Sequence, residues 1–381
     1  MNDEKCGVLL VEDNPGDARL IEEMLKEVSR PSFTLTHVTD LRTGLERVRE
    51  REFDAVLLDL SLPDSQGVDT VSTFADHHPD AAIIVLTGLH DEEVGVQSVR
   101  QGAQDYLVKD QVDSTLLARA IRYARERQAL ESRLKDALAR LESELHVVAH
   151  LQSSLLPCGV PEIPGLQVET HYEPAHQAGG DYFDFFPLSD RRWGVLLADV
   201  SGRGAQAAVI MAMTRVITHH LSQMENPARV LADMNARLYE SIPGRQFVTC
   251  CYGVVDMSES TFRFSAAGHE PPLHVSGSAA EGEYLTDEPR LALGIAPEST
   301  YENRSVKLSS GDTLVLYTDG VLHAESPDGE RFGRERLRQT VAQTMPRSAG
   351  AVKGHLIDAL NEHTADDARS DDIAFLVLHA D

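Results

Sequence analysis

Acidic residues at the ends of apolar runs are the chemistry-bearing feature of this chain. In the stretch from Ala178 to Ala208, Asp181 and Asp184 stand in an aromatic run, and the apolar run Trp193 to Ala198 ends at Asp199. Further on, Leu314 to Tyr317 delivers Asp319, and Asp371 with Asp372 opens another apolar run. Short apolar runs bounded by turn residues read as strands, so carboxylates gather at strand ends. Carboxylates brought together repel one another unless a cation neutralises them, and hard oxygen ligands select magnesium or manganese. A surface hairpin with solvated acids accounts for any one grouping, but gives no reason for the design to recur. Gly179, Gly180, Gly202 and Gly204 permit tight backbone approach beside the acids, and the Ala-rich run from Ala205 reads as a closely packed helix.

A second set of candidates lies near the N-terminus. The run GVLLV at 7–11 ends in Glu12 and Asp13, and a helical apolar spacing follows at Leu20, Ile21, Met24, Leu25 and Val28. The pattern recurs as FDAVLLDL ending near Asp59, AAIIVLTG ending at Thr87 and QDYLVKD ending at Lys109. Buried apolar strands alternating with helices predict a parallel, doubly wound α/β sheet. Ligands of such sheets collect at the carboxyl ends of the strands, here an acidic pocket with one lysine.

The elements between the two sets are of another kind. From Asp113 no glycine or proline occurs until Pro157, which predicts a long helix. Leu130, Leu134, Leu138, Leu141, Leu145 and Val148 recur at three- and four-residue steps with Glu and Arg between them, as in a coiled-coil linker. The first two steps are both of four residues, a stutter in the heptad. A single solvated helix docked on one domain is the alternative. Pro157, Pro161 and Pro164 end the helix. Beyond them short apolar strands alternate with polar turns, and Ala205 to Leu221 and Pro227 to Tyr239 read as helices, which predicts an α+β sandwich. The expected domains are 1–125, a helical linker over 126–156, and 157–381.

Composition narrows the class. In 381 residues, 35 Lys and Arg face 61 Asp and Glu, a net charge of -26 that disfavours nucleic acid and anionic membrane surfaces as partners. No apolar run approaches a membrane span and the N-terminus has no signal-peptide pattern, so a cytoplasmic protein is expected. The four cysteines lack metal-ligand spacing and read as buried free thiols, with Cys250 and Cys251 on opposite faces of one strand. The 16 histidines have no metal-binding context and are assigned no chemistry.

The motifs VEDN, DLSLPDSQG, LTG and DYLVKD, in that order over about the first 125 residues, resemble the receiver domains of two-component response regulators. The resemblance implies a (βα)5 fold in which Asp59 accepts a phosphoryl group, Glu12, Asp13 and Asp59 hold Mg2+, and Thr87 and Lys109 contact the phosphoryl oxygens. Tyr106 matches the aromatic position that reorients in such domains, with ordinary half-buried packing as the plain alternative. Asp110 stands where many receivers have proline. A sensor histidine kinase or another phosphodonor is the implied partner.

The pieces LLP at 155–157, GGDYFDFF, ADVSGRGAQAA, SAAGHEPP, LALGI, YTDGVLHAE, FGRERL and DDIAFLVL resemble the phosphatase-2C-like metal-dependent phosphatases, in the branch of the stage II sporulation phosphatase. The implied fold is an αββα sandwich holding two Mn2+ or Mg2+ ions. The implied catalytic and metal set is Asp181, Asp199 with the Val200 carbonyl, Asp319 and Asp371, with Asp372 able to substitute for Asp371. Arg203 stands where the branch often has histidine, and His323 where it often has threonine. The implied substrate is a phosphorylated anti-sigma-factor antagonist, with control by Asp59 phosphorylation and a homodimer formed through the helical linker. A non-catalytic adaptor that binds a sigma factor or its regulator is the competing reading, against which the full acid set counts.

Overall fold

The computed structural model describes residues 5–381 except 89–91, 176–177, 222–223, 243, 245, 278–280, 286–289 and 365–370. Two compact units divide it, Met1–Leu141 and Glu142–Asp381.

In the first unit the strands are β1 (Lys5–Val11), β2 (Ser32–Val38), β3 (Ala55–Asp59), the short ribbon β4 (Ser61–Leu62) and β5 (Ser65–Gln66), β6 (Ile83–Thr87) and β7 (Asp105–Val108). The helices are α1 (Pro15–Glu27), α2 (Leu41–Glu50), α3 (Val68–His77) and α4 (Glu92–Arg100). The main sheet is wholly parallel, in the order β2-β1-β3-β6-β7, which is a doubly wound (βα)5 arrangement. Its three central strands are buried on both faces, and Val8, Leu10, Leu57 and Ile84 enter one core while Leu9, Val56, Leu58 and Val85 enter the other. The edge strand β2 alternates exposed and half-buried residues, so its pattern is weaker. Asn14 caps α1 by accepting from the Gly16 amide, with Pro15 at the first helical position, and this fixes Glu12 and Asp13 in a short turn off β1.

Helix α5 runs unbroken over Ser114–Leu155, 42 residues. It opens inside the receiver-type core, where Leu117, Ala120, Ile121 and Ala124 are buried. The last helix of that core and the predicted linker are therefore one element. Leu130, Leu134, Leu138, Leu141 and Leu145 line it in the open, between 39% and 64% exposed. A stripe of this kind on a polar helix is an unpartnered apolar seam.

The second unit stacks two antiparallel sheets between helical layers. Its strands are β8 (Leu166–Glu173), β9 (Tyr182–Ser189), β10 (Arg192–Val200), β11 (Val248–Asp256), β12 (Thr261–Ala267), β13 (Leu273–Val275), β14 (Gly282–Tyr284), β15 (Arg304–Lys307), β16 (Thr313–Tyr317) and β17 (Ile373–Ala380). Its helices are α6 (Gly204–His219), α7 (Pro227–Ser241), α8 (Asp319–His323), α9 (Gly333–Gln343) and α10 (Ala349–Thr364). The sheet orders are β15-β12-β11-β10-β9 and β14-β13-β16-β17-β8. Phe183, Leu197, Cys251 and Phe264 of the first sheet meet Leu316, Ala374, Leu376 and Leu378 of the second in the central layer. Helices α6 and α7 cover the outer face of the first sheet, and α8 to α10 that of the second. The result is an αββα sandwich.

Two local expectations change. Cys250 and Cys251 do enter opposite core layers, but Cys158 is exposed. Helices α9 and α10 occupy a region expected to hold strands and turns. Val352, Leu356 and Leu360 of α10 recur at four-residue steps and all are buried, but Gly350 and Gly354 mask the helical signal. Among the described residues, no helix is long and apolar enough to cross a membrane.

Candidate functional site

The first site lies at the carboxyl end of the parallel sheet. Glu12 follows β1, Asp59 is the last residue of β3, Thr87 ends β6 and Lys109 follows β7. Glu12 and Asp59 are buried and Asp13 is exposed, and each offers an oxygen within 4.8 Å of the others. Lys109 Nζ lies 2.6 Å from Glu12 Oε2, 3.0 Å from Asp17 Oδ2 and 3.3 Å from Asp59 Oδ2. Burial raises the pKa of Glu12, and the Asp59 charge adds to that effect against the Lys109 hydrogen bond. Burial also works against the Lys109 charge, yet its bonds to Glu12 and Asp17 and the Asp59 charge raise its pKa overall. Asp59 has one oxygen anchored, Oδ1 accepting from the Leu60 amide at 2.8 Å, while Oδ2 faces the lysine. Thr87 is buried, with its hydroxyl 3.5 Å from the Leu107 carbonyl. Tyr106 is half-buried, and its ring fills the space that a β-carbon on Gly95 of α4 would need. The Lys109–Asp110 bond is trans; among the described residues the cis peptide bonds precede Pro31 and Pro346.

The second site is built from four segments of the sandwich. Asp181 directly precedes β9, and the antiparallel register pairs Tyr182 with Ala198, which brings Asp181 to the end of β10 that holds Asp199 and Val200. Asp319 opens α8 after β16, and Asp371 and Asp372 precede β17, which pairs with β16. Asp181 is buried and its pKa stands well above the carboxylate range, by burial first and then by the charges of Asp199, Asp372 and Asp319. Asp199 is pushed up to about 7 by burial and by Asp319, Asp371 and Asp372. Burial raises Asp319 too, with His323 opposing and Asp371 reinforcing the shift. The five acids expected to act together thus feel one another across the sheets.

Asp371 and Asp372 differ in their engagements. Asp372 Oδ1 accepts from the Ala175 amide at 2.8 Å and Oδ2 from the Gly180 amide at 2.5 Å, so it pins the glycine loop. Asp371 Oδ1 accepts from the Asp372 amide at 3.1 Å, while Oδ2 lies 3.9 Å from Arg203. Gly320 lies so close that a β-carbon there would collide with the Asp372 carbonyl. Asp184 is not part of the cluster. It is buried on the helical side, where its Oδ2 accepts from Tyr182 Oη at 2.5 Å and lies 2.7 Å from His219 Nε2.

Two supporting residues escaped the sequence reading. Thr318, fully buried, donates from Oγ1 to Asp181 Oδ2 at 2.8 Å and accepts from the Ala374 amide at 3.0 Å. Gln152 of α5 brackets Gly179, donating from Nε2 to its carbonyl at 2.6 Å and accepting at Oε1 from its amide at 3.0 Å. Its burial near the end of a polar helix is the signal, and that appears only once the fold is known.

A parallel receiver sheet and an αββα sandwich with a carboxylate centre, joined by one continuous helix, define a response-regulator receiver fused to a phosphatase-2C-type domain. The chain belongs to the stage II sporulation protein E family, whose family model matches residues 189–381, and the response regulator receiver domain model matches residues 8–121. It is 28% identical over 247 residues to the phosphoserine phosphatase RsbU of Bacillus subtilis, covering 64% of this chain and 72% of that protein. It is 25% identical to protein IcfG of Synechocystis, covering 80% of this chain and 52% of that one, so it spans about half the length of that relative. Among solved structures it resembles the RsbU and RsbW domains of a Mycobacterium tuberculosis protein, with 28% identity, a TM-score of 0.51, and 59% of this chain and 63% of that chain covered. The SiaA phosphatase-2C domain of Pseudomonas aeruginosa shares the fold at 20% identity and a TM-score of 0.57, over 65% of this chain and 98% of that one.

Proposed function

We propose that this chain is a metal-dependent phosphoserine and phosphothreonine phosphatase controlled by phosphorylation of its own receiver. The observation that supports the reading is that the charges of Asp199, Asp372 and Asp319 reach the buried Asp181 and those of Asp319, Asp371 and Asp372 reach Asp199, all at strand ends of the two sheets. Such a centre is unfavourable without cations, and its all-oxygen donor set fits Mn2+ or Mg2+. Asp199, with the Val200 carbonyl beside it, would serve both ions. Asp319 and Asp371 would hold the second, Asp181 the first in part through water, and Asp372 would keep the glycine loop in position. Metal ions held there would supply an acidified water as the nucleophile toward the phosphoryl group. Thr318 holds Asp181 in orientation throughout.

In the receiver, Glu12, Asp13 and Asp59 would hold one Mg2+. Asp59 Oδ2, its partner oxygen anchored, takes the phosphoryl group from a histidine kinase or another donor, and Lys109 balances the added charge. The substrate class that fits the family resemblance and the relation to RsbU is a phosphorylated anti-sigma-factor antagonist. Control runs through α5, which starts in the receiver core and ends on Gly179, two residues before Asp181. It requires two states of the helix that differ in stability with Asp59 phosphorylation.

The test is Mn2+-dependent phosphate release from a serine-phosphorylated antagonist, with and without beryllofluoride on the receiver. Turnover that needs the metal and changes with beryllofluoride is expected, and Gln152→Leu is expected to bring the two rates together. No turnover in either state would sink the enzyme reading, while a beryllofluoride effect that survives in Gln152→Leu would sink this route of control. The exposed leucine seam also supports a homodimer. Sedimentation is expected to give dimers for the native chain and monomers for the double variant Leu134→Glu, Leu138→Glu; native monomers would overturn that proposal.

A further inference from the structure

The acid centre of the second unit has a cation at its edge that is held only by one long ion pair. Arg203 sits on the turn between β10 and α6, between Gly202 (φ 106°) and Gly204 (φ 67°), left-handed values that glycine adopts without strain. Its side chain is 56% exposed, and the near acidic oxygen, Asp371 Oδ2 at 3.9 Å, lies beyond hydrogen-bond reach. Among the described residues its guanidinium donates no hydrogen bond. The other candidates around the centre are not free in this way. Arg334 is held by Glu270 at 2.9 Å, and His323, 3.7 Å from Asp319, carries charge only when protonated.

A phosphoryl dianion approaching five carboxylates meets a field that two divalent cations would largely, not fully, offset. A permanently charged fork of donors at the rim supplies the remainder, and a guanidinium matches two phosphoryl oxygens at once. We propose that Arg203 is the phosphoryl-recognition residue of this centre, leaving its loose approach to Asp371 to bind two non-bridging oxygens of phosphoserine. This rests on the reading of the centre as a metal-dependent phosphatase. The competing role, a charge partner for Asp371, is poorly served by an exposed pair at that distance.

The experiment measures binding of inorganic phosphate to the full Mn2+-loaded chain by calorimetry, for the native protein, Arg203→Ala and Arg203→Lys, with Mn2+ binding titrated in parallel. Arg203→Ala is expected to weaken phosphate by about 10- to 100-fold, the range for charged hydrogen bonds. Arg203→Lys should recover part of the loss, free guanidinium should restore binding to Arg203→Ala, and Mn2+ affinity should stay unchanged. Phosphate binding equal in Arg203→Ala and the native chain, with only Mn2+ binding altered, would overturn the proposal in favour of the charge-partner role. Native Mn2+-loaded protein that binds no phosphate would also overturn it. Phosphate held through Arg203 in a chain that hydrolyses no phosphoserine would keep the recognition site and remove the hydrolytic reading.

Discussion

Asp199→Asn is expected to lose phosphatase turnover by at least about a thousandfold while the metal-free protein becomes no less stable. The two effects have one origin. Asp199 is raised to about 7 by burial and by Asp319, Asp371 and Asp372, and its charge in turn raises Asp181. Without cations it contributes repulsion, so the neutral isostere relieves strain among the acids. With cations it would be the shared ligand of the proposed centre, and its loss would remove the stabilisation that metal binding confers. Thermal unfolding with and without Mn2+ checks both parts. The native chain should gain melting temperature on adding metal, and Asp199→Asn should gain little. A variant that keeps native turnover, or one that melts well below the native chain without metal, would show that Asp199 has a structural role instead.

The second large effect concerns the other end of the chain. Asp59→Asn is expected to abolish phosphorylation by a small-molecule phosphodonor and to remove any response of the phosphatase to beryllofluoride. Asp59 Oδ1 is tied to the Leu60 amide, and Oδ2 is the oxygen presented to Lys109 at 3.3 Å. An amide in its place cannot attack phosphorus, and it leaves Lys109 with Glu12 and Asp17 as acidic partners at 2.6 and 3.0 Å. Intact-mass measurement after incubation with donor and Mg2+ gives the direct readout. A phosphoryl adduct retained in Asp59→Asn would assign the acceptor elsewhere.

Much of this arrangement was legible in the sequence because charge at the end of an apolar run survives in one dimension. Glu12, Asp59 and Thr87 each close or follow a strand buried on both faces, Lys109 follows the half-buried edge strand β7, and Asp199 and Asp319 stand at the ends of largely buried strands. Strand β2 was not legible, since an edge strand with alternating exposure carries few apolar residues. Asp184 was legible as an acid but not as the buried partner of His219, for that contact crosses from strand to helix. Gln152 and Thr318 left no trace because a neutral side chain reveals its importance only through its hydrogen-bond partner, which lies far away in sequence.

The unbroken α5 also constrains how such a chain can be lengthened. A helix that keeps its hydrogen bonds throughout turns about 100° with every residue, so one inserted residue would swing Gln152 off its bearing relative to Leu117 on the same helix. Seven inserted residues leave a residual turn of only about 20°. Insertions in whole heptads are therefore the changes of length that keep the leucine seam continuous and leave Gln152 close to its bearing on Leu117 along the helix.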